Sequence, residues 1–162
     1  MQALARSLML ATLMVGVILW GNQASAQQTD PFIGTWKINV EKSKFSPGPP
    51  LKSGFVKYEP TADGMTKTTA DLVAGDETKQ HIEYTAKDDG KDYPITGMPT
   101  VDTVSVKKID ANTVERTDKK DGKVVGTVTR RISSDGKTIT VTIQGSNAQG
   151  QPVNNTVVLE KY

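Results

Sequence analysis

The sequence contains no cysteine and one histidine, His81. The first absence excludes disulfides, zinc–thiolate sites and thiol nucleophiles, and the second excludes paired-histidine metal sites. Most familiar catalytic and metal-binding constellations are therefore missing, and neither a metal nor a cofactor is expected. His81 falls on the polar parity beside Glu83, with no serine, cysteine or metal set to serve as general acid or base. Aromatic residues are scarce at 6%, and although hydrophobic residues make up 36% of the 162-residue chain, a disproportionate share of them lies in the first 26 positions. The remainder is lean and rich in Thr and Val, and its length suits one domain that buries roughly 70% of its unfolded surface. An excess of one charge is absent too: 20 Lys and Arg against 18 Asp and Glu give a net +2, with the signs interspersed. No basic face for nucleic acid is expected.

The first 26 residues read as a leader. Arg6 supplies a positive charge, Leu8 to Trp20 is a 13-residue apolar run, and Ala24-Ser25-Ala26 places small residues where a signal peptidase cuts. The run is short of the roughly 20 residues needed to span a bilayer, and no basic stop-transfer cluster follows. The expectation is a signal peptide over 1–26 and a mature domain over 27–162, periplasmic or secreted, with no integral membrane segment after cleavage.

Beyond the leader the chain is punctuated by Asp63-Gly64, Asp89-Gly90, Asp121-Gly122 and Asp135-Gly136, dipeptides that tolerate the positive φ of tight antiparallel turns. Alternation between them predicts strands. Phe32, Gly34, Trp36, Ile38 and Val40 share one parity, as do Val124, Gly126, Val128, Arg130 and Ile132, then Ile139, Val141 and Ile143, and finally Val153, Val157 and Leu159. The remaining strands are placed near Ser53–Thr61, Met65–Val73, Glu77–Lys87, Val101–Ile109 and Asn112–Lys120. A turn at Asp135-Gly136 sets Ile132 opposite Ile139, Arg130 opposite Val141 and Val128 opposite Ile143, so both apolar sets share a face. At Asp121-Gly122 a two-residue loop would pair Arg116 with Thr127 and misalign the faces; a three-residue loop with a bulge restores them. Asp88-Asp89-Gly90-Lys91-Asp92 lacks the ligand spacing and terminal Glu of a calcium loop and reads as a solvated turn. No helix is expected, and Pro47-Gly48-Pro49-Pro50 marks a loop. The fold class is all-β, an antiparallel up-and-down β-barrel of about eight to ten strands, because closure buries one apolar face per strand and removes both edges. A two-sheet sandwich is the alternative.

Phe32-Ile33-Gly34-Thr35-Trp36-Lys37-Ile38 at the start of the first strand resembles the Gly-x-Trp opening shared by lipocalins and fatty-acid-binding proteins. The hairpin order from Asn112 to Tyr162, with Lys120-Asp121-Gly122-Lys123 and the closing Leu159-Glu160-Lys161, is similar to theirs. The chain thus resembles the calycin superfamily, and within it the small exported bacterial proteins with a lipocalin-like domain. That resemblance implies a barrel open at one end, often with a small-molecule cavity. Two departures stand out. The helix pair between the first two strands of fatty-acid-binding proteins has no counterpart in the short Pro-rich stretch here, and Val157 and Leu159 occupy the positions of their carboxylate-holding Arg-x-Tyr. Arg130 lines up with an interior Arg of that family, and Arg116 falls where an interior Gln is usual.

Arg130 is the most informative side chain, because its inward parity makes a guanidinium costly unless paired or wet. It can hold a ligand carboxylate or phosphate bidentately, or stack on Trp36 at the closed end, as a Trp–Arg pair does in many lipocalins. Arg116 is the second candidate, although Asp118 shares its parity and an ordinary exposed ion pair would account for it. Tyr84 shares parity with Ile82 and needs a hydroxyl partner inside, either Arg130 or ligand. Trp36 packs the floor or touches ligand, and Asp102 sits at the rim or partners an interior Arg. The expected function is binding of a small apolar or amphipathic molecule with an anionic end at Arg130. The alternatives are an enzyme using the cavity as a reaction chamber, with Arg130, Tyr84 and Asp102 as its polar set, and a filled barrel with a structural or partner-binding role.

Overall fold

The computed structural model describes residues 30–48, 50–147 and 149–162; the leader expected over 1–26 lies outside them. Ten strands follow one another: β1 (Gly34–Lys44), β2 (Leu51–Pro60), β3 (Thr66–Ala74), β4 (Lys79–Ala86), β5 (Asp89–Thr96), β6 (Thr103–Asp110), β7 (Thr113–Lys120), β8 (Lys123–Ile132), β9 (Thr138–Ser146) and β10 (Pro152–Lys161). Each pairs antiparallel with its sequence neighbours, and β1 pairs with β10, so the sheet closes into an up-and-down barrel. Among the described residues there is no helix. Closure, rather than a sandwich, leaves no strand with an unpaired edge.

Nine strands were expected, four from alternation and five placed between them, and β5 is the tenth. Its first half is the stretch read as a solvated turn, and Asp89 to Asp92 is indeed exposed. Only Tyr93 and Ile95 turn toward the interior, too few apolar positions for an alternation to register. β5 is also weakly joined to β4, through the pairs Glu83–Thr96 and Tyr84–Ile95 alone. Gly97 closes that seam at φ +81°, and a Cβ there would stand 1.7 Å from the His81 carbonyl oxygen, so only glycine lets the backbones meet.

The β8–β9 register is the expected one, with Ile132 opposite Ile139, Arg130 opposite Val141 and Val128 opposite Ile143. The β7–β8 connection differs from expectation. Lys120 pairs with Lys123, so the loop is two residues long, and Asp121 and Gly122 take φ values of 50° and 72°, the twist-matched hairpin turn. The register shifts inside the strands instead, where Asp118 faces Gly126 and Lys119 faces Val124. Val125 is the extra residue. The bulge expected in the loop therefore lies two residues beyond it, and it still brings Arg116 opposite Val128 on the inner face.

At the closed end, where β1 begins and β10 ends, Trp36, Ile139 and Leu159 are almost wholly buried. The Trp36 indole N–H donates to the Phe32 carbonyl at 2.8 Å, and Phe32, just before β1, is itself buried. The loops β1–β2, β3–β4, β5–β6, β7–β8 and β9–β10 gather at the opposite, open end. The first of these, Phe45 to Pro50, is short, and no helical lid lies among its described residues.

Candidate functional site

Between the closed-end core and the open-end loops lies a cavity of about 140 Å³. Its upper wall is apolar and half-buried, with Leu51, Leu72, Ile82 and Ile143. Its lower part is polar. Tyr58, Thr68 and Tyr84 are laid side by side by the registers Tyr58–Thr68 and Thr68–Tyr84 across β2, β3 and β4. Arg116 and Arg130 come from β7 and β8 on the facing wall. The two sets meet across the interior: the Arg130 guanidinium carbon is 5.0 Å from the Tyr58 ring centroid, and that of Arg116 is 5.3 Å from the Tyr84 centroid. Both distances are in the range of cation–π attraction.

The two arginines differ in how their charge is met. Arg116 is paired with Asp118, two residues on and on the same face of β7, with Nη2 donating to Oδ2 at 2.9 Å and Nε 2.7 Å from Oδ1. Arg130 is 8% exposed, its Nε has no hydrogen-bond partner, and among the described residues no Asp or Glu oxygen lies within 4.0 Å of it. Beneath it a second cavity of about 20 Å³ is bordered by Asp30, Asp88 and Thr66 as well as Arg130, room for one water molecule. Burial pushes the Asp88 carboxyl above its ordinary value, against the pull of Arg130. Burial also opposes the charge on Arg130, yet Tyr84, Tyr58 and Asp88 outweigh it and its pKa is raised. For Tyr58 burial dominates and the phenol is pushed up. Tyr84 is buried as well, but it lies between both guanidiniums, and Arg130 and Arg116 together bring it below the ordinary phenol value.

Of the five side chains singled out from sequence, Arg130, Arg116 and Tyr84 line one cavity and Trp36 and Asp102 do not. Trp36 is fully buried in the closed end, and the cation over it is not Arg130 but Lys161, its register partner, whose Nζ is 5.3 Å from the ring centroid. Arg130 stacks on Tyr58 instead. Asp102 is at the open-end rim, where its carboxylate accepts from the Asp121 N–H at 2.9 Å; it partners no interior arginine. That partner is Asp118, and the pair is not an exposed one, since the side chains are 13% and 7% accessible. Sequence reading missed Tyr58 and Thr68, although Val56 and Tyr58 share an inward parity on β2. His81 lies outside the barrel, its Nδ1 2.6 Å from an Asp71 oxygen. Among the described residues no cluster of His, Asp and Glu could hold a metal ion.

No family model and no curated protein matches the sequence. Among solved structures, the crystal structure of the wild-type fluorescent protein UnaG is similar in fold. The match covers 81% of this chain and 97% of that one at 18% sequence identity, with a TM-score of 0.50. With the ten-strand closed meander, this establishes a calycin-type fold.

Proposed function

We propose that this protein binds a small amphipathic anion inside its barrel, with the anionic end at Arg130 and the apolar body among Leu72, Ile82, Val141 and Val157. The observation that carries this reading is the buried Arg130 guanidinium at the floor of an apolar cavity, lacking a carboxylate partner and with one N–H unmatched. The guanidinium is held charged there by Tyr84, Tyr58 and Asp88, and its unmatched N–H remains to donate to an anion. The cavity volume sets the size of what is seated. An apolar cavity of about 150 Å³ takes a benzene-sized guest, so roughly six to eight non-hydrogen atoms fit here. The 1–26 leader supports export, and we place the site of action in the periplasm or outside the cell. A reaction chamber built on Arg130, Tyr84 and Asp102 lacks its third member, because Asp102 faces the β7–β8 turn.

Calorimetric titration with hexanoate and with hexanol tests the proposal. Arg130→Met should weaken hexanoate by about 1.5–3 kcal/mol, the scale of a hydrogen bond to a charged group, and leave hexanol nearly unchanged. Equal losses for both probes, or binding of neither by the unmodified protein, would overturn it. The filled barrel is the second reading, favoured by a cavity smaller than the roughly 300–1,000 Å³ of most ligand sites and by the Arg130–Tyr58 stack. In that case Arg130→Met lowers the melting temperature and no probe binds.

A further inference from the structure

Arg130 borders both the main cavity and the small one beneath it. The small cavity is the acidic side. Asp30, just ahead of β1, and Asp88, on the β4–β5 connection, border it, and neither carboxylate comes within 4.0 Å of the guanidinium. The barrel wall is weak at this level, because β4 and β5 pair only at Glu83–Thr96 and Tyr84–Ile95, and β5 contributes no residue to the small cavity. Asp88 is exposed on its outer side, so protons reach its carboxyl from solvent without crossing the interior. The charges around it come from several elements. Arg130 on β8 and Lys108 on β6 favour the ionised form, whereas Asp30, the adjacent Asp89 and above all the partial loss of water oppose it, and the opposition prevails. Lys87, its other chain neighbour, is exposed. Elsewhere around the small cavity, β2 and β4 bring the phenols Tyr58 and Tyr84, and β3 and β7 bring only Thr66, Thr68 and Val114. Arg116 on β7, over the Tyr84 ring, is neutralised by Asp118.

We infer that Asp88 is an internal counterion that competes with the bound anion for Arg130, so that mild acid frees the guanidinium and strengthens anion binding. This rests on the anion-binding reading of Arg130 and adds its regulation by pH. While Asp88 is ionised, it partly cancels from beneath the field that Arg130 presents to the main cavity. Once Asp88 is protonated the cancellation ends, and Arg130, whose pKa is raised, stays charged. The coupling is reciprocal: an anion seated above Arg130 makes the ionised form of Asp88 less favourable, so binding draws a proton onto it. Asp88 titrates above the ordinary carboxylate value, whereas Asp135 and Glu160 titrate below it. The change in affinity therefore comes in mildly acid solution, before the acid loss of stability begins.

The test uses butane-1-sulfonate, small enough for the main cavity and ionised throughout the range from about pH 7.5 to about pH 4.5, with hexanol as the neutral companion. By calorimetric titration the unmodified protein should gain affinity for the sulfonate about three- to tenfold across that range, the scale of one charge acting through partly solvated protein, while hexanol stays level. Titrations in buffers of different ionisation enthalpy should show proton uptake around the midpoint of the rise. Asp88→Asn should bind the sulfonate at neutral pH as tightly as the unmodified protein does in acid, with no pH dependence left. Asp30→Asn should keep the rise and move it to lower pH. Where Asp88→Asn does not fold, proton uptake by the unmodified protein carries the test. A flat affinity without proton uptake, or an unchanged rise in Asp88→Asn, would overturn the inference while the anion site stands. Failure of the unmodified protein to bind either butane-1-sulfonate or hexanoate at every pH would take both readings down together.

Discussion

Asp118→Leu removes the one carboxylate that neutralises Arg116 and leaves its guanidinium in the barrel interior. Both side chains are largely withdrawn from solvent, at 13% and 7% accessibility, and two close N–O contacts join them. Breaking such a pair from one side costs about 3–5 kcal/mol, because the surviving charge is left desolvated. Arg130 shares the same cavity and its like charge already works against that of Arg116, which places the expectation in the upper half, about 4 kcal/mol. For a domain of this size the midpoint of thermal unfolding should fall by about 12–16 °C. The assay is calorimetric melting at neutral pH in low and high salt, with Arg116→Leu/Asp118→Leu as the companion. Replacing both partners with leucine removes the uncompensated charge, so the double variant should recover to within about 1 kcal/mol of the parent or exceed it. A loss below about 1 kcal/mol in Asp118→Leu, shrinking further in salt, would refute the reasoning, since that is the behaviour of a solvent-screened surface pair.

Gly97→Ala should destabilise by about 2–4 kcal/mol in urea unfolding, because its Cβ would overlap the His81 carbonyl at 1.7 Å and its φ is +81°; a change under about 0.5 kcal/mol would mean the β4–β5 seam is loose enough to part. In alkaline titration followed by phenolate absorbance, Tyr84 should ionise first and Tyr58 well after it. Replacing Arg130 or Arg116 by Met should return Tyr84 toward higher pH, and unchanged titration in both variants would break that assignment. Because the folded-state value of Tyr84 is lowered, its ionisation favours the fold as pH rises toward 10, whereas Tyr58 opposes it at higher pH. At the acid end, Asp135 is lowered by bonds from Ser133 and Lys137, Asp76 by Thr78, Asp110 by Asn112, and Glu160 by Lys42 and Asn39. Their stabilisation is complete above their unfolded values near 4 and is lost as pH falls through the lower folded values. The melting midpoint should therefore drop as pH falls below about 4, and Asp135→Asn should flatten that slope.

The meander and much of its register are written in local chemistry. Val128, Arg130 and Ile132 alternate with polar neighbours, Ile139, Val141 and Ile143 do the same, and the turn at Asp135-Gly136 joins them. Period-two alternation and positive-φ turns act over a few residues, so they can be read along the chain without knowing what lies across the barrel. The inward aim of Arg130 was legible for the same reason. What it meets was not, because Tyr58 reaches it from β2 on the far wall, and only closure of ten strands sets those walls face to face. Lys161 over Trp36 likewise depends on β10 returning to pair with β1. The bulge at Val125 moved a register shift out of the loop and into the strands, a choice made by side-chain packing on the inner face rather than by the turn dipeptide. Arg116 and Asp118 were visible as a same-face pair, but whether that face was wet or buried was decided by the barrel. The cavities were beyond sequence reading for a related reason: a void is the difference between the space ten strands enclose and the side chains that fill it, and no single strand carries that quantity.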